Sequence, residues 1–164
     1  MESFQPLLAI SHPTVQLTTY TGEPTTTVTR NVPDQILLHG TFGSGAVLSY
    51  HMRGGPVFAK SDSDGMFWRI YGDKGEIQLT GPNSFLQIAD GDRKIEIFDH
   101  SSEKVEEVDV EKDEFSEIPL FGRNVARLYE AFADGKGKGQ GVLDWEDALN
   151  RHQFVDEVYK KAAF

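Results

Sequence analysis

The chain predicts an α+β fold: an open, largely antiparallel β-sheet with helices packed on one face. Two observations carry this expectation. Apolar and polar residues alternate with period two through residues 35–53 and in several short runs up to residue 110. From about residue 120 the apolar spacing changes to that of a helix. Strands first and helices last, with no internal repeat, place helices over a sheet rather than between parallel strands. The 164 residues suffice for one domain with its own core. Residues 1–34 read as an extended lead-in with a first strand, and residues 35–164 as the α+β body of a single domain.

Within the lead-in, residues 14–19 suit a short strand. Thr25, Thr26, Thr27 and Thr29 then lie between Pro24 and Pro33; branching at Cβ and the prolines favour extended backbone over helix, which reads most simply as a flexible loop. From Gln35 to Arg53 two runs alternate around Gly43-Ser-Gly45, a three-residue hairpin turn. Pairing Phe42 with Ala46 puts Ile36, Leu38, Leu48, Tyr50 and Met52 on one face. His39, Thr41, Ser49 and His51 then share the other, whereas a two-residue turn mixes the faces. Further strands are expected at residues 67–71, 76–80, 85–88, 94–98 and 105–110, with turns at Gly72-Asp-Lys-Gly75 and Asp90-Gly-Asp92. The acidic stretch 103–117 has few large apolar residues and reads as a solvated edge or connection.

In the last third, Phe121, Val125, Leu128, Tyr129 and Phe132 recur at helical spacing, and that helix is expected to end near Gly135. Trp145, Ala148, Leu149, His152, Val155 and Tyr159 mark a second amphipathic helix, with Asp144 as its N-cap.

Composition narrows the function. A net charge of −10 excludes direct nucleic-acid binding as the default, because neutralising phosphates needs a basic face and no Lys/Arg cluster supplies one. With no cysteine, disulfides, thiolate nucleophiles and Cys-based zinc sites are excluded. No apolar run has the length of a membrane span, and the N-terminus lacks the pattern of a signal peptide, so the expected location is cytoplasmic, or nuclear. Gly135-Lys-Gly-Lys-Gly-Gln-Gly141 fits neither a Walker loop nor a dinucleotide fingerprint, since it follows a helix and has Gln140 where glycine is needed. The five histidines show no metal-ligand spacing, and Gly43-Ser44-Gly45 is not a nucleophile elbow. No catalytic, cofactor-binding or metal-binding residue is assigned. The residues singled out for a ligand pocket are Arg53, at a strand end followed by two permissive glycines, with His51 and His39 on the same sheet face. Arginine is the residue type for clamping a carboxylate or phosphate, but a solvated strand end is the simpler reading. Leu37, Val47 and Ser49 are the residues singled out for a dimer contact through that face.

Four segments occur in a characteristic order: Pro33-Asp-Gln-Ile-Leu-Leu-His-Gly-Thr-Phe42, Gly45-Ala-Val-Leu-Ser-Tyr-His-Met-Arg-Gly-Gly55, Trp68-Arg-Ile-Tyr-Gly-Asp-Lys-Gly-Glu-Ile77, and the helix from Trp145 through Tyr159. Together they resemble the C-terminal domain of the Gfo/Idh/MocA oxidoreductase family, in particular its fungal branch similar to the galactose-regulon repressor. The resemblance implies a sheet domain that shapes a substrate pocket and carries a homodimer contact, with a further protein partner if the chain is repressor-like. In that family NAD(P) is held by an N-terminal Rossmann half, whose glycine fingerprint and Glu-Lys-Pro motif do not occur here. A cofactor is therefore expected only with such a half, and this chain alone is expected to be non-catalytic. The alternatives are the substrate half of an active sugar or polyol oxidoreductase, a transcriptional regulator, or a free-standing small-molecule binding domain. His12 lies on no matching motif, and the family's acid–base role is not carried to it.

Overall fold

The computed structural model describes residues 2–55, 65–84, 93–110, 112–137 and 142–164. They form nine strands, a 3-10 turn and two helices. The chain clusters into two compact units, Met1–Pro56 with Trp145–Phe164, and Val57–Asp144.

In the first unit, β1 (Ser3–Ala9), β4 (Gln35–Thr41) and β5 (Val47–Arg53) make an antiparallel sheet in the order β1-β4-β5. The β4–β5 register is the one the sequence predicts, with Leu37 opposite His51 and His39 opposite Ser49. The Phe42 amide donates to the Ala46 carbonyl at 2.9 Å, and Gly45 takes φ +87° to close the three-residue turn. A side chain at Gly45 would be strained in that left-handed conformation. One sheet face gathers Phe4, Leu8, Ile36, Leu38 and Leu48. Across it lies α2 (Trp145–Ala162), which contacts β1. The core is the trio Phe4, Leu38 and Val158, with Leu8, Leu48 and Phe154 packed around it. The Phe4 and Phe154 rings meet at 5.1 Å in a tilted geometry, and the Lys161 ammonium sits 3.9 Å from the Phe4 ring centroid.

Three expectations are corrected in this unit. The lead-in holds three strands rather than one: β1, β2 (Thr14–Thr18) and β3 (Pro24–Thr29). Its Thr-rich segment is β3, antiparallel to β2, because branched Thr side chains favour the pleated backbone that pairing then fixes. The packed face of α2 is also not the predicted one. Trp145, Leu149 and Val155 are exposed, while Phe154 and Val158 face the sheet. The helix carries two apolar rows, and the fit of Phe154 against Phe4 selects the shorter.

In the second unit, β6 (Met66–Tyr71), β7 (Gly75–Gly81), β8 (Lys94–Asp99) and β9 (Lys104–Glu107) form an antiparallel meander. One face carries Trp68, Ile70, Ile77, Leu79, Ile95 and Ile97; the other carries Arg69, Glu76 and Gln78. The acidic edge expected at 103–117 is β9, whose four residues are all exposed, followed by the 3-10 turn Glu114–Glu117. Helix α1 (Leu120–Ala133) stops just before Gly135, as its spacing predicts. It is tied to the turn by Arg127, which donates two hydrogen bonds to Asp113 at 2.7 and 2.8 Å. Among the described elements α1 contacts only that turn, and its apolar row from Phe121 to Phe132 is exposed. The predicted strand at 85–88, the turn Asp90-Gly-Asp92 and part of the Gly-rich segment lie outside the described residues.

Candidate functional site: an acid-free sheet face and a buried aspartate at its end

The face of β1-β4-β5 turned away from α2 is set by the register. Across the three strands run Ser3, Thr41 and Val47; Gln5, His39 and Ser49; Leu7, Leu37 and His51; and Ala9, Gln35 and Arg53. Leu7 is 54% exposed and Val47 80% exposed. Leu37 lies half-buried between them in the central strand. No residue of this face is acidic, although the chain carries 26 Asp and Glu.

The residues singled out in the sequence therefore share one face without converging on one pocket. His39 and His51 are diagonal neighbours, by general sheet geometry about 7–8 Å apart. Arg53 stands at the last position of β5, opposite Gln35. A shallow depression at the other end of the sheet is lined by Glu2, Ser3, Gln5, His39 and Lys161, so it includes His39 but neither His51 nor Arg53. Leu37, Val47 and Ser49, singled out for a dimer contact, all lie on the open face.

At the Arg53 end the structure adds a group that sequence reasoning missed. Asp34 precedes β4 with its side chain fully buried. Its carboxylate accepts the backbone amides of Ser11 and His12, each at 2.8 Å, and lies 3.0 Å from His12 Nδ1. Arg30 Nε is 3.8 Å away, buried and without a hydrogen-bond partner. The Ser11 amide above all, with the His12 amide and ring, holds the Asp34 carboxyl at a pKa of about 2 despite the burial that opposes ionisation. The Asp34 carbonyl in turn accepts the Gly54 amide at 2.6 Å. Gly54 and Gly55 are there because the chain passes tightly over this cluster. A Cβ on Gly54 would sit 3.3 Å from the Asp34 Cβ, and Gly55, at φ +105°, lies against the His12 ring. The two glycines after Arg53 thus allow a close approach of the chain to Asp34 and His12. The only sequence signal was the glycine pair itself, since its partners lie some twenty and forty residues earlier.

Among the described residues Glu76 on β7 is the other buried acid. It accepts Arg69 through both oxygens, at 2.6 and 2.7 Å, and Gln78 at 2.6 Å. The Arg69 hydrogen bonds, then that of Gln78, lower its pKa. Every acceptor there is matched by a donor, which marks a structural network. Among the described residues no group of three or more His, Asp or Glu is arranged to hold a metal ion. No described helix is long and apolar enough to cross a membrane.

Comparison with known proteins bears on this arrangement. Residues 1–81, which contain the whole open face, match the family model of the Gal80p C-terminal domain. Over those residues the chain is similar to a Gal80p C-terminal domain. The likeness in fold extends over nearly all of it. A super-repressor mutant of Gal80p from Saccharomyces cerevisiae superposes with a TM-score of 0.76 at 22% identity, over 98% of this chain and 42% of that one. The transcriptional regulator Gal80p from Kluyveromyces lactis superposes with a TM-score of 0.72 at 21% identity, over 98% of this chain and 38% of that one. The chain thus spans about two fifths of the Gal80p chains it matches. No curated protein matches it by sequence. The Gal80p-type fold agrees with the predicted α+β class and its antiparallel pairing.

Proposed function

We propose that this chain is a non-catalytic self-association module of a regulator of the Gal80p kind, forming a homodimer through the open face of β1-β4-β5. The observation that carries the reading is the contrast between that face and the rest of the molecule. A chain of net charge −10 repels its own copy, and two copies meet best where acids are absent. The open face has none, and it offers Leu7, Leu37 and Val47 amid hydrogen-bonding groups that are uncharged at neutral pH apart from Arg53 at one end, close to the composition of an interface interior. A further protein partner and a cytoplasmic or nuclear site of action belong to the same reading. NAD(P) is no part of it, because the glycine-rich run 135–141 has Gln140 where the dinucleotide fingerprint needs glycine.

Replacing Leu37 and Val47 together by aspartate tests the face. Both copies then carry new charges at the contact, and the variant is expected to sediment as a folded monomer where the wild type is a dimer. A double variant that keeps the wild-type association would remove this face from the interface.

A second reading has one observation of its own. The depression lined by Glu2, Gln5, His39 and Lys161 brings several hydrogen-bonding groups to one place, as the rim of a sugar or polyol pocket would. In that case the chain is the substrate half of an NAD(P)-dependent oxidoreductase. Joined to an NAD(P)-binding half, it should then transfer hydride to a member of a sugar panel, and His39→Ala should raise KM. A joined protein that binds cofactor and stays inactive counts against it.

A further inference from the structure

The ribbon formed by β2 and β3 has no core of its own. Every residue from Thr14 to Thr29 is exposed except Val15, and Tyr20 at the tip is wholly so. Among the described elements the two strands contact only each other. Val15 pairs with Val28, and Leu17 lies two residues on along the same strand face. An isolated two-stranded hairpin is marginal in water and needs a third surface to be stable.

The base of the ribbon, by contrast, is fixed. The Arg30 amide donates to the Pro13 carbonyl at 2.9 Å, closing the two strands together. Directly beside that closure, Asp34 binds Ser11 and His12 through the contacts described above. A clamped root under an uncovered blade describes an arm with a set direction.

We infer that this arm lies on a second copy of the chain, and that two copies exchange their arms in an isologous dimer. The inference rests on the dimer reading of the open face. Charge identifies the occupant. From residue 14 to residue 29 the only charged side chain is Glu23, in the turn, so the arm meets a copy of net charge −10 without repulsion. Thr14, Gln16, Thr27 and Thr29 form its polar side. They offer uncharged hydrogen-bonding groups of the same kind as Gln5, Gln35, Thr41 and Ser49 on the open face. Val15, Leu17 and Val28 supply the apolar side. The arm and the open face belong to one unit, the arm with the single acid Glu23 and the face with none, which makes a reciprocal embrace chemically consistent.

Two measurements on the full chain test this. In the first, residues 14–29 are replaced by Asn-Gly, which the hydrogen bond between Pro13 and Arg30 allows without disturbing the Asp34 cluster. Sedimentation equilibrium is expected to show the dimer dissociation constant raised at least about tenfold, with the thermal unfolding transition retained. In the second, amide exchange of the arm is compared between the wild type and the Leu37→Asp, Val47→Asp monomer. Arm amides are expected to be protected in the dimer and to exchange freely in the monomer. A wild-type dimer with unprotected arm amides, or an unchanged dissociation constant in the shortened variant, overturns the arm and leaves the dimer standing. Protection that persists in the monomer shows the arm resting on its own chain and overturns it as well. A wild type that is itself monomeric overturns the dimer reading first.

Discussion

Asp34 joins three stretches of chain that are far apart in sequence: the turn after β1, the connection after β3 and the exit of β5. Its charge is stabilised mainly by amide donors that point at it and cannot move away without unfolding the turn. The folded carboxyl, near pKa 2, lies below the ordinary value of 3.8. Its contribution to stability is therefore complete above about pH 4 and is lost as pH falls towards 2. Asp99, held near 2 by Ser101 and Ser102, and Asp113, held near 2 by Arg127, add to the same acid limb. Asp34→Asn keeps the shape and removes the charge, so the melting temperature of the variant should be lower at neutral pH and should fall less steeply between pH 4 and 2. A variant with the wild-type acid slope would show that Asp34 does not hold these segments together. Only the glycine pair hinted at this in the sequence, where Asp34 was one residue of a resemblance motif and Gly54-Gly55 read as a strand end. The cluster exists only once β1, β4 and β5 are aligned.

Among the elements, the β4–β5 hairpin was the most legible. Alternation over seven residues on each side and a Gly-Ser-Gly turn leave one register that keeps the faces separate, and the structure has that register. Leu38 is its buried member. Leu38→Ala should cost about 2–5 kcal/mol in urea unfolding, since it empties the centre of the Phe4–Leu38–Val158 core, and a cost near zero would mean that α2 does not seal that face. The helices were less legible for a physical reason. Helical spacing locates α1 and α2, but it does not say which apolar row meets a sheet. In α2 the choice fell to Phe154 and Val158 because Phe4 offers a ring to pack against. In α1 the row from Phe121 to Phe132 is exposed. The Thr-rich β3 was misread as a loop because its stability as a strand depends on its pairing with β2, which periodicity in so polar a segment does not reveal.

At the scale of the whole molecule, charge distribution says more than total charge. The net −10 excluded nucleic acid as a default partner, yet only the aligned strands show that one sheet face holds no acid, and the ribbon of the same unit holds Glu23 alone. The Gal80p-type fold covers 98% of this chain while the chain spans about two fifths of the Gal80p chains compared. On the regulator reading, titration of this chain with NAD or NADP is expected to give no heat of binding in the micromolar range. Tight binding would move the balance to the oxidoreductase reading. The central claim, self-association through the acid-free face, is tested most directly by the mass of the purified chain in solution. Sedimentation equilibrium across a wide concentration range should give twice the chain mass of 18.3 kDa. A mass of 18.3 kDa at the highest concentration reached would contradict it.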